Sequence, residues 1–246
     1  RGIGRAAADA LAARGATVVV MARDASRLRV VADDLARNHG QSHGSRPVDP
    51  GDAASVDAAA AELAAEGRRV DILVHNTGGP PGGPLHEADA AALRAAFEQH
   101  VTAGQRLVQA VLPGMRSRGW GRIINVISTS VLMPIMGLGV SNVIRGAVAN
   151  WARTLAGELG PDGITVNNVL PGYTDTERLR SIIRDRAERG GRSPEAVEEA
   201  MRSSIPLRRL AEPGEVGAVI AFLASTEAGY VNGVNLPVDG GRTAVQ

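Results

Sequence analysis

Three side chains near the middle of the 246-residue chain have the types and spacing for joint chemistry. Ser128 ends an apolar run containing Ile123, Ile124, Val126 and Ile127, which reads as a buried strand. After a loop, Ser141 and Arg145 stand one turn apart at the opening of a helix. The apolar residues Ile144, Val148, Trp151, Leu155 and Leu159 recur at three- and four-residue steps and line one helical face, so Ser141 and Arg145 share another. Two hydroxyls and a guanidinium can therefore converge on one pocket. The guanidinium keeps its charge at any working pH. An aliphatic hydroxyl, by contrast, is a far weaker acid than a phenol with its pKa of about 10, so Ser141 can donate a hydrogen bond but hardly an ionisable proton. Where the chemistry needs a proton, Tyr173 is the first source, then a water held by Ser128, Ser141 and Arg145, or His100, which titrates near neutrality.

The elements that must position these groups alternate between strand-like and helix-like patterns along the chain. That alternation predicts one α/β domain with a doubly wound parallel sheet. Strands are read at Thr17 to Met21, Val70 to Val74 and Ile164 to Leu170. A helix carrying Leu28, Val31 and Leu35 opens at Asp24 or Ser26, and another running through Leu63 opens at Asp52 or Ser55. A long helix carries Phe97, Val101, Val108, Leu112 and Met115 at helical spacing. Residues 177–207 are strongly charged, with two short helical patterns, and read as a solvated insertion. The segment from His39 to His43 reads as a surface loop with no metal-binding spacing.

Composition narrows the function. A hydrophobic fraction of 44% is enough for one large core. A net charge of +1 without runs of like charge gives no field for nucleic acid or an anionic membrane. Zero cysteines exclude disulfides, thiol catalysis and thiolate metal sites. No apolar stretch of about eighteen residues and no signal-peptide pattern is visible, so a soluble cytoplasmic protein is expected.

In length and pattern, Gly121 to Leu159 resembles the strand, serine, loop and Y-x-x-x-K helix of the short-chain dehydrogenase/reductase superfamily. The family's Tyr falls on Ser141 and its Lys on Arg145. No other alignment restores them, because the chain has no lysine and its only tyrosines are Tyr173 and Tyr230. The resemblance covers nearly the whole chain. Arg1, Gly2, Ile3 and Gly4 match the end of T-G-x-x-x-G-x-G, a turn that sets backbone N–H groups and a helix N-terminus against a pyrophosphate. By itself a Gly-x-Gly before a helix is as often a plain tight turn. The strand that precedes this motif in the family has no counterpart here, so an interior strand position is expected to be unfilled, and the sequence reads as an incomplete record of the protein.

Further matches imply a dinucleotide site. Ala22 and Arg23 end a strand where an acidic residue would bind the adenosine ribose; Arg23, with Arg1, suits an extra phosphate, so NADP(H) is expected rather than NAD(H). Asp49 matches the family's Asp beside the adenine, although Pro50 lacks the N–H of the next contact. Asn76 and Gly78 match two positions of N-N-A-G, while His75 and Thr77 depart from it, and His100 stands where an active-site Asn is usual. Pro171, Gly172, Thr174 and Thr176 match the P-G-x-x-x-T loop beside the nicotinamide, and residues 177–207 correspond to a substrate lid.

The resemblance implies an NADP(H)-dependent oxidoreductase acting on a carbonyl or alcohol of a small organic substrate. Ser128 would polarise the carbonyl, Arg145 would hold the nicotinamide ribose, and the proton donor would be non-standard. Two other classes stay open. One is a non-redox enzyme on the same fold, such as a dehydratase, isomerase or cyclase, with Arg145 and Ser128 binding an oxyanion. The other is a non-catalytic cofactor-binding partner protein. Helices with apolar outer faces suggest a homo-oligomer, a tetramer or dimer.

Overall fold

The structure, a computed structural model, describes residues 2–244, so the expected phosphate contact of Arg1 falls outside the described residues. Helix α1 (Gly2–Ala13) leads to strand β1 (Val19–Ala22), α2 (Ala25–Asp34) to β2 (Gly44–Pro47) and α3 (Ala53–Ala65) to β3 (Ile72–His75). Next, α4 (Ala90–Phe97) runs through a π turn (Glu98–Thr102) into α5 (Ala103–Arg118), followed by β4 (Gly121–Val126), α6 (Gly139–Leu159) and β5 (Ile164–Pro171). Helices α7 (Glu177–Gly190), α8 (Pro194–Ser203) and α9 (Pro213–Leu223) precede β6 (Asn235–Val238).

All strand pairs are parallel, in the orders β1-β2 and β3-β4-β5-β6. Among the described residues β1 and β3 each pair on one side only, and both line the same groove. The doubly wound parallel architecture is therefore present, with its sheet divided at that point. Helices cover both faces, which is why β4 and β5 are buried at every position. On one face Ile124, Val126 and Val169 pack with Ala7 of α1 and Val216, Ile220 and Leu223 of α9. On the other, Ile123, Ile164 and Val166 pack with Val108 and Met115 of α5 and Ala152 and Leu155 of α6. Helices α1 and α9 approach so closely that a Cβ on Gly217 would lie 2.6 Å from the Ala6 carbonyl oxygen.

Three departures from the sequence reading have physical causes. Strand β2 is not visible in sequence, because Gly-Ser-Arg-Pro carries no apolar run; pairing with β1 keeps it extended. His43 sits just before it as a structural link, with Nδ1 accepting from the Val18 N–H at 3.1 Å and Nε2 donating to the Ala36 carbonyl at 2.8 Å. Second, the long helix does not present one continuous apolar row. The π turn adds a residue and rotates the faces, so Phe97 is 47% exposed while Val108 and Met115 are buried. Third, residues 177–207 are more than a solvated insertion. Leu179, Ile183 and Ala187 of α7 pack on Val197 and Met201 of α8, and Tyr173 and Leu210 lean against this small core. Thr176 caps α7 through its hydroxyl, Gly191 ends it with φ 57°, and Ser193 and Pro194 open α8.

A polar row crosses the four-stranded sheet. His75, Asn125, Asn168 and Asn235 are in register from β3 to β6. Asn125 Nδ2 donates to Asn168 Oδ1 at 3.0 Å, and Asn168 Nδ2 to Asn235 Oδ1 at 2.8 Å. The row bridges β4, β5 and β6 inside the core and ends at His75. Among the described residues no helix is long and apolar enough to cross a membrane, and no group of residues could hold a metal ion.

Candidate active site

A cleft of about 1920 Å³ opens at the carboxyl ends of β1, β3, β4 and β5 and continues into the divide between β1 and β3. Ligands of open parallel sheets bind at this edge, outside the carboxyl ends of the strands. Ser128, Ser141, Arg145 and Tyr173 all line the cleft. The end of β4 delivers Ser128, whose Oγ accepts the Ser130 N–H at 3.1 Å and opens a short 3₁₀ turn. Its own O–H remains able to donate to a ligand. Ser141 lies in the first turn of α6, one turn before Arg145.

Arg145 is buried and reaches back from α6 to the strand ends. Its Nη1 donates to the Val126 carbonyl at 3.0 Å and its Nη2 to the Thr77 carbonyl at 3.4 Å. Loss of water around the guanidinium, and the charge of Arg178 nearby, pull its pKa down to about 10, still well above neutrality. Two buried imidazoles stand beside it. Burial first, and then the Arg145 charge, lower His75 to about 4, against a hydrogen bond with Asn125 that favours the protonated ring. The same causes in the same order, with His75 adding to them, lower His100 to about 3. His75 fits because α5 has Gly104 opposite it, where a Cβ would lie 2.9 Å from the His75 Cε1.

His100 itself does not line the cleft. The π turn points it inward, fully buried, and its Nδ1 shares a hydrogen bond with the Thr77 hydroxyl. Thr77 thus joins His100, through its hydroxyl, to Arg145, through its carbonyl. Tyr173 is half-buried against α7 and α8, and the guanidinium of Arg242 stacks 4.8 Å from the centre of its ring.

The glycine turn lies at the other end of the cleft. Gly2, Ile3 and Gly4 line it, together with Arg23, Asn76, Gly78, Pro171, Gly172, Thr174 and Thr176. A Cβ on Gly4 would come 2.7 Å from Asn76 Nδ2, and Gly2 takes φ 62° with the Thr176 methyl 3.5 Å from its built Cβ position. The backbone angle therefore favours glycine at Gly2, and the Asn76 amide lies close against Gly4. Arg23 makes no ion pair among the described residues. Asp49 is outside the lining: its carboxylate accepts the Gly51 N–H at 3.0 Å within its own turn, and Pro50 faces the cleft instead.

The sequence reading did not single out Arg178, Arg184 and Arg186, which also line the cleft. The signal was present in the composition of α7, which holds five arginines against three carboxylates. The linking role of Thr77 was visible only as a departure from a family motif.

A family model described as enoyl-(acyl carrier protein) reductase matches residues 1–243. The chain is 37% identical to cis-4-hydroxycyclohexanecarboxylate dehydrogenase of Sinomonas cyclohexanicum, covering 99% of this chain and 93% of that protein. It is 33% identical to 3-oxoacyl-acyl-carrier-protein reductase FabG of Escherichia coli, covering 100% and 94%. Among solved structures, L-sorbose reductase from Gluconobacter frateurii, complexed with NADPH and L-sorbose, superposes with a TM-score of 0.91 at 30% identity, covering 100% and 94%. The parallel fold, the cleft at its strand ends and a family match of this extent agree: the chain belongs to the short-chain dehydrogenase/reductase superfamily of oxidoreductases.

Proposed function

We propose that the protein is an NADP(H)-dependent oxidoreductase that interconverts a carbonyl and an alcohol on a small organic substrate, with Ser141 and Arg145 in the places of the family's Tyr and Lys. The observation that carries this reading is the convergence of Ser128, Ser141, Arg145 and Tyr173 on a cleft whose far end is a glycine turn. Its residues fit a dinucleotide. The turn at Gly2 to Gly4, where Gly2 takes φ 62°, opens α1, whose N-terminal N–H groups suit a pyrophosphate. Arg23 has no described acid to neutralise it, which suits a 2′-phosphate. The relative crystallised with NADPH supports the same choice.

Bound there, the dinucleotide supplies the hydride. Arg145 spends two donor groups on backbone carbonyls and keeps others for the nicotinamide ribose. Ser128 donates to the substrate carbonyl oxygen, where negative charge develops, and Ser141 adds a second donor. The proton comes from Tyr173, or else from a water held by Ser128, Ser141 and Arg145. His100, neutral and walled off from the cleft, acts as a positioning residue by fixing Thr77 and through it Arg145. Helices α7 and α8 form the substrate lid. Exposed Phe97 of α4 and Val143 of α6 support assembly as a homotetramer or dimer.

Fluorescence titration is expected to show NADPH binding at least about tenfold tighter than NADH, and Arg23→Asp should reverse that order. A panel of ketones and aldehydes should then oxidise NADPH. Binding with substrate conversion but no NADPH oxidation would instead favour the non-redox reading. For Tyr173→Phe we expect kcat to drop about 10²-fold, the lower range for loss of a general acid. A wild-type rate in that variant would assign the proton to water.

A further inference from the structure

We propose that the substrate carries an anionic group, a carboxylate or a phosphate, and that Arg178 and Arg184 of α7 receive it at the mouth of the cleft. The proposal rests on the oxidoreductase reading above and specifies the substrate class for the same site. Charge balance on the lid is the first argument. Of the arginines on α7, Arg180 is neutralised by Asp175 through bonds of 3.1 Å. Arg178 and Arg186 donate only to neutral backbone carbonyls, those of Pro80 at 2.5 Å and Met136 at 3.2 Å. Arg184 makes no hydrogen bond or ion pair among the described residues. Elsewhere, Arg106 is matched by Asp57 and Arg116 by Asp162 across elements.

Position supplies the second argument. Arg178, Arg184 and Arg186 line the cleft with the buried Arg145, as does one acid of α7, Glu177. No described carboxylate lies within ion-pair distance of any of the four arginines. Arg145 and Arg178 lie close enough that the charge of Arg178 adds to burial in disfavouring the charge of Arg145. Like charges gathered beside a desolvated site are costly until an anion enters, and a planar guanidinium binds a carboxylate or phosphate through paired hydrogen bonds. Pro80 and Met136, which anchor the lid arginines, belong to loops that meet just before α6, through the Gly83 N–H to Gly137 carbonyl bond of 2.8 Å. Ser141 stands in the next turn. An anion held there lies beside the reacting carbonyl, whereas Arg23 and the glycine turn remain for the phosphates of the dinucleotide.

The test compares matched probes: levulinate against methyl levulinate, phenylglyoxylate against its methyl ester, and dihydroxyacetone phosphate against dihydroxyacetone. KM should be at least about tenfold lower for an anion than for its neutral partner, and the two anion types distinguish carboxylate from phosphate. In Arg184→Gln, and separately in Arg178→Gln, the anion-to-neutral ratio should collapse towards one while NADPH affinity stays within about twofold. Calorimetry on the protein saturated with NADP⁺ reads anion binding without turnover. Anion binding that is lost in the variants, with no probe reduced by wild type, keeps the anion site and sinks the oxidoreductase reading. Equal binding of charged and neutral probes, no binding of any anion, or a tenfold loss of NADPH affinity with an unchanged ratio would each overturn the proposal.

Discussion

Replacing Arg145 by Met is expected to lower kcat/KM about 10²- to 10³-fold, the range for loss of one preorganised donor, while the thermal midpoint holds or rises. The opposite signs follow from where the guanidinium sits. Its folded pKa, pulled down to about 10, means that the fold disfavours its charge. Below pH 10 both folded and unfolded states carry the proton, so the full penalty, on the order of 3 kcal/mol, applies at neutral pH. Methionine removes that penalty and keeps apolar bulk. Against this stand the two hydrogen bonds to the Val126 and Thr77 carbonyls, each worth roughly 1 kcal/mol. A buried charge kept at net cost to stability is retained for function, and here it would hold the ribose and stabilise developing negative charge. Arg145→Lys should recover most of the lost rate, because an ammonium keeps the charge on a similar reach. Melting curves beside steady-state kinetics check both halves. A Met variant that unfolds early yet turns over normally would make Arg145 a structural residue and end the functional reading.

Much of the fold could be read from the chain because its signals were local. The periodic apolar rows of α6 and α9, the caps at Asp24, Asp52 and Ser193, and the apolar runs of β4 and β5 all state their structure within a few residues. Strand β2 could not be read, since its extension comes from pairing with β1 and not from its own residues. The π turn was equally hidden: hydrogen bonds one residue longer than usual leave no mark in composition, yet they decide that His100 points inward and Phe97 outward. At the site, Ser128, Ser141 and Arg145 were identified because one strand end and one helix turn carry them. The arginines of α7 were overlooked because charged residues on an exposed helix usually face solvent, and only the packing of Leu179 and Ile183 on α8 sets which arginines face inward. Asp49 matches the motif, yet it lies outside the cleft lining, with one carboxylate oxygen accepting the Gly51 N–H.

Acid is expected to destabilise this protein by several kcal/mol more than a His75→Asn/His100→Asn double variant, with the difference growing as pH falls from 6.5 to about 4. In the unfolded chain both imidazoles take up protons near the ordinary value of 6.5. Folded, they resist until about 4 for His75 and about 3 for His100, because each is stripped of water and faces Arg145. Their folded pKa values are depressed, so the stability they permit is fully present above 6.5 and is lost as pH falls through that window, by up to a few kcal/mol each. Glu215, which its ion pair with Arg209 holds near 2, also gives up stability in acid. That loss falls below its ordinary 4.5 and is common to both proteins, so the comparison isolates the histidines. Asparagine suits both positions without a titrating group: at His75 it can extend the amide row from Asn125, and at His100 it can still bond the Thr77 hydroxyl. Urea unfolding of wild type and double variant at neutral pH and at about pH 4.5 measures the difference directly. If the two proteins lose the same stability between those points, the imidazoles are not the buried neutral groups that their surroundings make them.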